Sequence, residues 1–101
     1  MSEQPPGEPS VTDNAELSRY EIRLDGVMAG YSEYVGYPDR RVITHTVIDP
    51  EFEGHGLGSA LARGLLEDIR ARGMRVVATC PFVRSYLQRH EGEYDDLLGR
   101  A

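Results

Sequence analysis

The sequence predicts an α/β domain: a mixed antiparallel/parallel sheet with a central helix and a short C-terminal helix. Three observations predict it. Apolar residues alternate through the first half, the period of half-buried strands. A glycine-rich stretch then opens a segment whose apolar residues recur every four positions, the stripe of an amphipathic helix. A second apolar run follows that helix, and a strand–helix–strand order makes the two strands parallel neighbours.

Met1 to Leu17 is rich in Pro, Glu, Ser and Gly, which predicts a mostly disordered tail over 1–17 and a folded unit over 18–98, with 99–101 as a short trailing tail. From Ser18 to Leu24, Tyr20, Ile22 and Leu24 alternate as one strand face. Asp25-Gly26 is a favoured two-residue hairpin turn, since both positions tolerate positive φ. A second strand runs from Val27 to Val35, and Gly36 to Arg40, with Pro38 and Asp39, makes the next turn. Arg41 to Asp49 carries Val42, Ile43, Val47 and Ile48 on both faces, which predicts a central strand covered on each side. Pro50 ends it, and Glu51 to Gly54 form a connection. Leu57, Leu61, Leu65 and Ile69, with Leu66 beside them, give the helix stripe, which Gly73 terminates. Met74 to Cys80, with Val76 and Val77, reads as a buried strand, Pro81 stops it, and Phe82 to His90 reads as the last helix. The acidic residues beyond are expected to fray, apart from Tyr94, Leu97 and Leu98.

Composition bounds the function. The chain has 101 residues, room for one small core. A formal net charge of −6 and the lack of a basic patch argue against nucleic acid as partner. The same field weakly favours a cationic acceptor. No apolar run approaches the ~20 residues of a membrane span, so no membrane partner is expected. No signal peptide is visible at the amino terminus. The single Cys80 has no disulfide partner within the chain, which makes the cytoplasm the default compartment. Three histidines and one cysteine show no recognised metal spacing, so no metal site is expected.

Gly54-His55-Gly56-Leu57-Gly58-Ser59 lies between a strand and a helix start. The first amides of a helix lack internal partners, its dipole adds positive charge there, and glycines let a phosphate reach the backbone. A pyrophosphate suits this loop; a tight turn and close helix–sheet contact is the other reading. A Walker A loop is excluded, because Ser59-Ala60 stands where Lys and Ser or Thr are required. A dinucleotide fingerprint is excluded too, since Ser59 rather than glycine lies three residues after Gly56.

Strand, (Arg/Gln)-x-x-Gly-x-(Gly/Ala), helix is the pyrophosphate signature of the GNAT N-acetyltransferase superfamily, and Glu53 to Gly58 occupies it. The wider segment resembles the small single-domain GNAT-like proteins. It carries Thr44-His45-Thr46, Cys80-Pro81-Phe82, Tyr86, and His90 followed by Glu93-Tyr94. The likeness spans Tyr20 to Leu98 and departs at two places. Glu53 stands where Arg or Gln is usual, and His90-Glu91-Gly92-Glu93-Tyr94 is one residue longer than the usual His-Pro-Glu-Tyr. The resemblance implies a minimal GNAT fold in which the two parallel strands splay. Acetyl-coenzyme A or coenzyme A would then lie along Thr46, Val47 and Ile48, over Glu53, Gly54, His55, Gly56, Leu57, Gly58 and Ser59, and near Cys80, Pro81, Phe82 and Tyr86. It also implies a backbone amide that polarises the thioester carbonyl, and Tyr86 as the acid for the departing thiolate.

The residues themselves leave their roles open. His45 has the right chemistry for a general base, but it alternates with Ile43 and Val47 and could equally be a hydrogen-bonded core histidine. His55 touches either a phosphate or solvent. Tyr86 is an acid or an amphipathic core residue. Cys80 either takes the acyl group as a nucleophile or lines the cofactor site, a buried thiol being also a small hydrophobe. Three functions compete: acetyl transfer from acetyl-coenzyme A to a primary amine by direct attack, coenzyme A binding with little turnover, and an interaction domain that keeps only the fold. A shallow acceptor site would suit a lysine or terminal amine of a protein or peptide. Oligomeric state is open.

Overall fold

The structure, a computed structural model, describes residues 8–99; the expected tail residues 1–7 and 100–101 lie outside the described residues. Five strands form one sheet in chain order: β1 (Pro9–Asn14), β2 (Arg19–Leu24), β3 (Val27–Gly36), β4 (Arg40–Ile48) and β5 (Arg75–Ala78). β1 to β4 pair antiparallel, whereas β4 and β5 are parallel neighbours joined through α1 (Leu57–Ala71). α2 (Pro81–Arg89) follows β5. The expected α/β class and mixed sheet are therefore present.

Local chemistry sets these boundaries. Asp25 and Gly26 sit at φ 51° and 82°, the left-handed pair that turns β2 into β3 without splaying them. The helix stripe Leu57, Leu61, Leu65, Leu66 and Ile69 is fully inside, each such side chain contributing about 1.5–3 kcal/mol by burial. Gly73, at φ 70°, ends α1: its amide bonds to Arg70 O at 3.0 Å, and the Met74 amide bonds to Ile69 O at 3.2 Å. Pro50 opens a single 3₁₀ turn capped by the Asp49 carboxylate, and Pro81 takes the first position of α2, where a missing amide hydrogen costs nothing.

Three expectations are corrected. The first is the tail, because Pro9–Asn14 is an edge strand rather than disordered chain. Its Val11 packs on α1 at Gly64, where an added Cβ would stand 2.6 Å from Val11 Cγ2. Its Asp13 enters a polar cluster beneath the sheet. Arg41 Nη1 reaches Asp13 Oδ2 at 3.0 Å, and Arg72 Nη2 reaches the same oxygen at 3.2 Å. Tyr34 donates to Asp13 Oδ1 at 2.6 Å, and Tyr20 donates to Asp68 Oδ2 at 2.6 Å. Arg41 also donates to the Tyr20 hydroxyl at 2.5 Å, and its guanidinium lies 4.4 Å over the Tyr34 ring. Burial and the bond to Asp13 push the Tyr34 hydroxyl up to about 12. Burial opposes ionisation of Asp68, but the hydrogen bonds from Tyr20 and Arg72 outweigh it and hold that carboxyl below its ordinary range. Polar residues do the anchoring here, so apolar periodicity gave no sign of it.

The second correction concerns the acidic C-terminal segment. It does not fray: it turns back so that Leu97 O accepts the Val76 amide at 2.9 Å, capping the free edge of β5. Tyr94 and Leu97 are buried in the one core, and Arg70 holds Asp96 at 2.9 Å. Third, β4 is central in the sheet but covered on one face only. The buried apolar residues of both helices and of β2 to β5 belong to a single core cluster, against which Val11 of β1 packs. On the other face Val35, Val42 and Val77 stand in register across three strands, with Val35 and Val77 47% and 42% exposed.

Candidate functional site

The site begins where two paired strands part. β4 and β5 run in register from Arg40↔Arg75 to Ile43↔Ala78, and there the pairing ends. The Thr79 and Cys80 amides both turn onto Ile43 O, at 3.0 and 3.1 Å, so the chain swings into α2 while β4 continues to Ile48. At the same level β4 carries an extra residue. Tyr34 faces Ile43 and Glu33 faces His45, which leaves Thr44 opposite no residue of β3, its hydroxyl donating to Glu33 O at 3.3 Å. Such a bulge bends the strand and reverses which side chains share a face.

Beyond the bulge a cavity of about 430 Å³ opens between β4, the glycine loop and α2. Its lining brings together most of the expected loop and strand positions: Thr46 and Ile48 from β4, Glu53, Gly54, Gly56, Leu57, Gly58 and Ser59 from the loop and helix start, and Phe82 from α2. Phe82 is the lid of the helix start, since a Cβ on Gly58 would stand 2.6 Å from its ring. Gly56 is the N-cap of α1 in the left-handed conformation, at φ 71°, with no side-chain cap. The first bond inside the helix closes from the Ala60 amide to Gly56 O, so the amides of Leu57, Gly58 and Ser59 precede it. No acidic residue lies in this first turn. Backbone donors and the positive end of a 15-residue helix therefore face the cavity, a fit for the phosphates of a coenzyme A.

Other expected residues lie elsewhere. Val47 and His45 point to the open face of the sheet, because the bulge takes them off the face of Ile43 and gives it to Thr46 and Ile48; His45 is exposed rather than a core histidine. His55 is exposed on the loop and does not line the cavity. Pro81 is exposed at the start of α2. Tyr86 faces the core: its ring stacks on His90 at 4.2 Å and lies 6.2 Å from that of Tyr94. Cys80 is buried behind the cavity wall, its thiol donating to Thr46 Oγ1 at 3.2 Å, and the Thr46 and Ser32 hydroxyls share a hydrogen bond of 2.8 Å. A thiol and two hydroxyls thus form a row under the point where β4 and β5 separate. The described residues contain no cluster that could hold a metal ion, and no helix among them is long and apolar enough to cross a membrane.

Two lining residues escaped the sequence reading, Phe52 and Arg89. Phe52 sat in a segment read only as a connection. Arg89 follows Phe82 by seven residues, two turns along the same helix face, and that spacing could have flagged it.

Residues 19–97 match the model of a family described as GCN5-related N-acetyl-transferase. No curated protein matches the chain. Among solved structures, Ard1 from Thermoplasma volcanium is 26% identical, with a TM-score of 0.52 over 63% of this chain and 44% of its own. The ribosomal-protein-alanine N-acetyltransferase from Brucella melitensis biovar Abortus 2308 is 18% identical, with a TM-score of 0.59 over 76% of this chain and 64% of its own. The chain spans less than two thirds of either protein. A GCN5-like protein from Staphylococcus aureus has a TM-score of 0.63 at 21% identity, over 87% of this chain and 85% of its own, and shares the fold.

Proposed function

The chain belongs to the GCN5-related N-acetyltransferase family, and on that premise we propose that it transfers an acetyl group from acetyl-coenzyme A to a primary amine of a protein or peptide. The observation that carries the reading is the cavity where β4 leaves β5, with the uncapped start of α1 at one end and Thr46 at the other. Coenzyme A supplies the activated acetyl thioester. The amides of Leu57, Gly58 and Ser59 bind its phosphates, Gly54 and Gly56 leave room for them, and Phe82 packs beside the pantetheine arm. Beyond Ile43, β4 has no partner on its β5 side, and a backbone amide there is free to donate to the carbonyl oxygen as negative charge develops.

The acceptor reaches the gap from the open face of the sheet, where His45 stands just beyond the point of separation. His45 takes the proton that the amine gives up as its nitrogen bonds to the acetyl carbon and the carbon–sulfur bond breaks. The departing thiolate gains its proton from water, to which the cavity is open, because Tyr86 is packed on His90 and Tyr94. Cys80, hydrogen-bonded to Thr46, supports the cavity wall rather than carrying the acyl group. A protein or peptide acceptor is favoured by the uncovered face beside the gap, by the acidic charge of the chain, and by the ribosomal-protein alanine that names the Brucella protein.

A second reading, coenzyme A binding with little turnover, is favoured by Tyr86 facing the core and by His45 and the cavity lying on opposite faces. The test is a thermal-shift titration followed by turnover. Coenzyme A at 100 times its dissociation constant should add about 2.7 kcal/mol of stability. Acetylated peptide, lost in His45→Ala, supports transfer; saturable binding with no acetylation of any peptide or small amine supports the binding module. No stabilisation at millimolar coenzyme A rejects both.

A further inference from the structure

Two charged side chains line the cavity, and they have opposite signs: Glu53 from the loop and Arg89 from α2. Glu53 is the residue that runs directly into the glycine turn, so it carries a carboxylate into a place built for anions. Helix amides and a dipole can tolerate that charge, but they do not cancel it. A ligand with several phosphates still needs a cation. Seven residues separate Phe82, which touches the start of α1, from Arg89, so the two mark one face of α2 over about 10 Å of helix. Arg89 thus reaches the cavity from α2. Its charge is also unspent: among the described residues it makes no side-chain hydrogen bond or ion pair, whereas Arg19, Arg41, Arg70 and Arg72 each hold a carboxylate.

We infer that Arg89 binds a phosphate group of coenzyme A, supplying from α2 the positive charge that the glycine loop, with Glu53 at its head, lacks. The inference rests on the cavity being a coenzyme A site and adds the residue that fixes its phosphate end. A guanidinium suits the task because its planar fork matches two phosphate oxygens at once. The competing role is structural: Arg89 lies in the last turn of α2, where a cation favours the helix dipole.

Calorimetry with coenzyme A, 3′-dephospho-coenzyme A and pantetheine separates the two roles, using the full chain, Arg89→Ala and Arg89→Lys. Loss of a charged hydrogen bond should weaken coenzyme A binding by roughly tenfold in Arg89→Ala, with Arg89→Lys in between. Pantetheine, which has no phosphate, should bind all three proteins alike. A loss that disappears with 3′-dephospho-coenzyme A assigns the contact to the 3′-phosphate, and one that persists assigns it to the pyrophosphate; both support the inference. Equal weakening for pantetheine, or unchanged binding of coenzyme A, overturns it. Failure of the unaltered protein to bind coenzyme A would instead reject the reading of the cavity itself.

Discussion

The two ends of α1 are built on opposite terms. At its C-terminal end Asp68 and Arg72 join Asp13, Arg41, Tyr20 and Tyr34 in a cluster of ion pairs and hydrogen bonds, and Gly73 closes the helix with two backbone bonds. At its N-terminal end Gly56 caps with no side chain, and the first amides open into the cavity. One end is saturated with partners and the other is left short of them. The difference teaches how the helix divides its work: the sheet is anchored through the end farthest from the cavity, which leaves the amides of the near end unpaired.

The largest expected effect comes from breaking the saturated end. Asp13→Ala leaves the buried Arg41 guanidinium without its closest carboxylate and should cost about 3–5 kcal/mol in urea unfolding. Coenzyme A affinity of the folded fraction should stay within error; a parallel loss of affinity would show the two ends to be coupled. Gly64→Ala, which drives a methyl into Val11, should cost about 1–3 kcal/mol by overpacking, and a neutral result would mean that β1 gives way easily. Gly56→Val reverses the pattern. A branched residue at φ 71° costs only about 1–2 kcal/mol of strain, since no atom of the fold lies within 4 Å of the added Cβ, yet coenzyme A binding should be lost.

The smallest effect is in pH. Asp68 is held below its ordinary range, so what it contributes is present above the unfolded carboxylate value of about 4 and fades as the pH falls below it. Tyr34 acts in the other direction. Its contribution is intact below the ordinary tyrosine value of about 10 and is lost as the pH rises towards its folded value of about 12. Asp68→Asn should flatten the acid limb of a stability–pH curve and, because the Tyr20 hydroxyl donates to Asp68, change the alkaline limb less, through Tyr20 alone and not through Tyr34. An unchanged acid limb would assign that slope to other carboxylates, such as the Glu21 paired with Arg19 and Arg23.

What could be read in the sequence was whatever repeats. Tyr20, Ile22 and Leu24 announced β2, the four-residue stripe announced α1, and the glycine spacing announced the loop that lines the cavity. What could not be read depends on one residue or on polar partners. Alternation puts Ile43, His45 and Val47 on one face; the unopposed Thr44 breaks that alternation and sends His45 and Val47 to the open side while Thr46 and Ile48 turn inward. β1 has one apolar anchor, Val11, and owes its place to a carboxylate whose partners are 28 and 59 residues away in the chain. Arg89 looked like any solvated arginine at a helix end. Only the folding of α2 against the loop gives it a place in the site.

The thiol row under the strand fork has a practical consequence. Cys80 is 3% exposed, is the only cysteine in the chain, and is bonded to Thr46, whose other side borders the cavity. A maleimide can therefore react only when the fold opens around the thiol, and the labelling rate becomes a stopwatch for that opening. A ligand held across the fork should slow the clock and one confined to the loop should not, and the native sequence already carries the reporter.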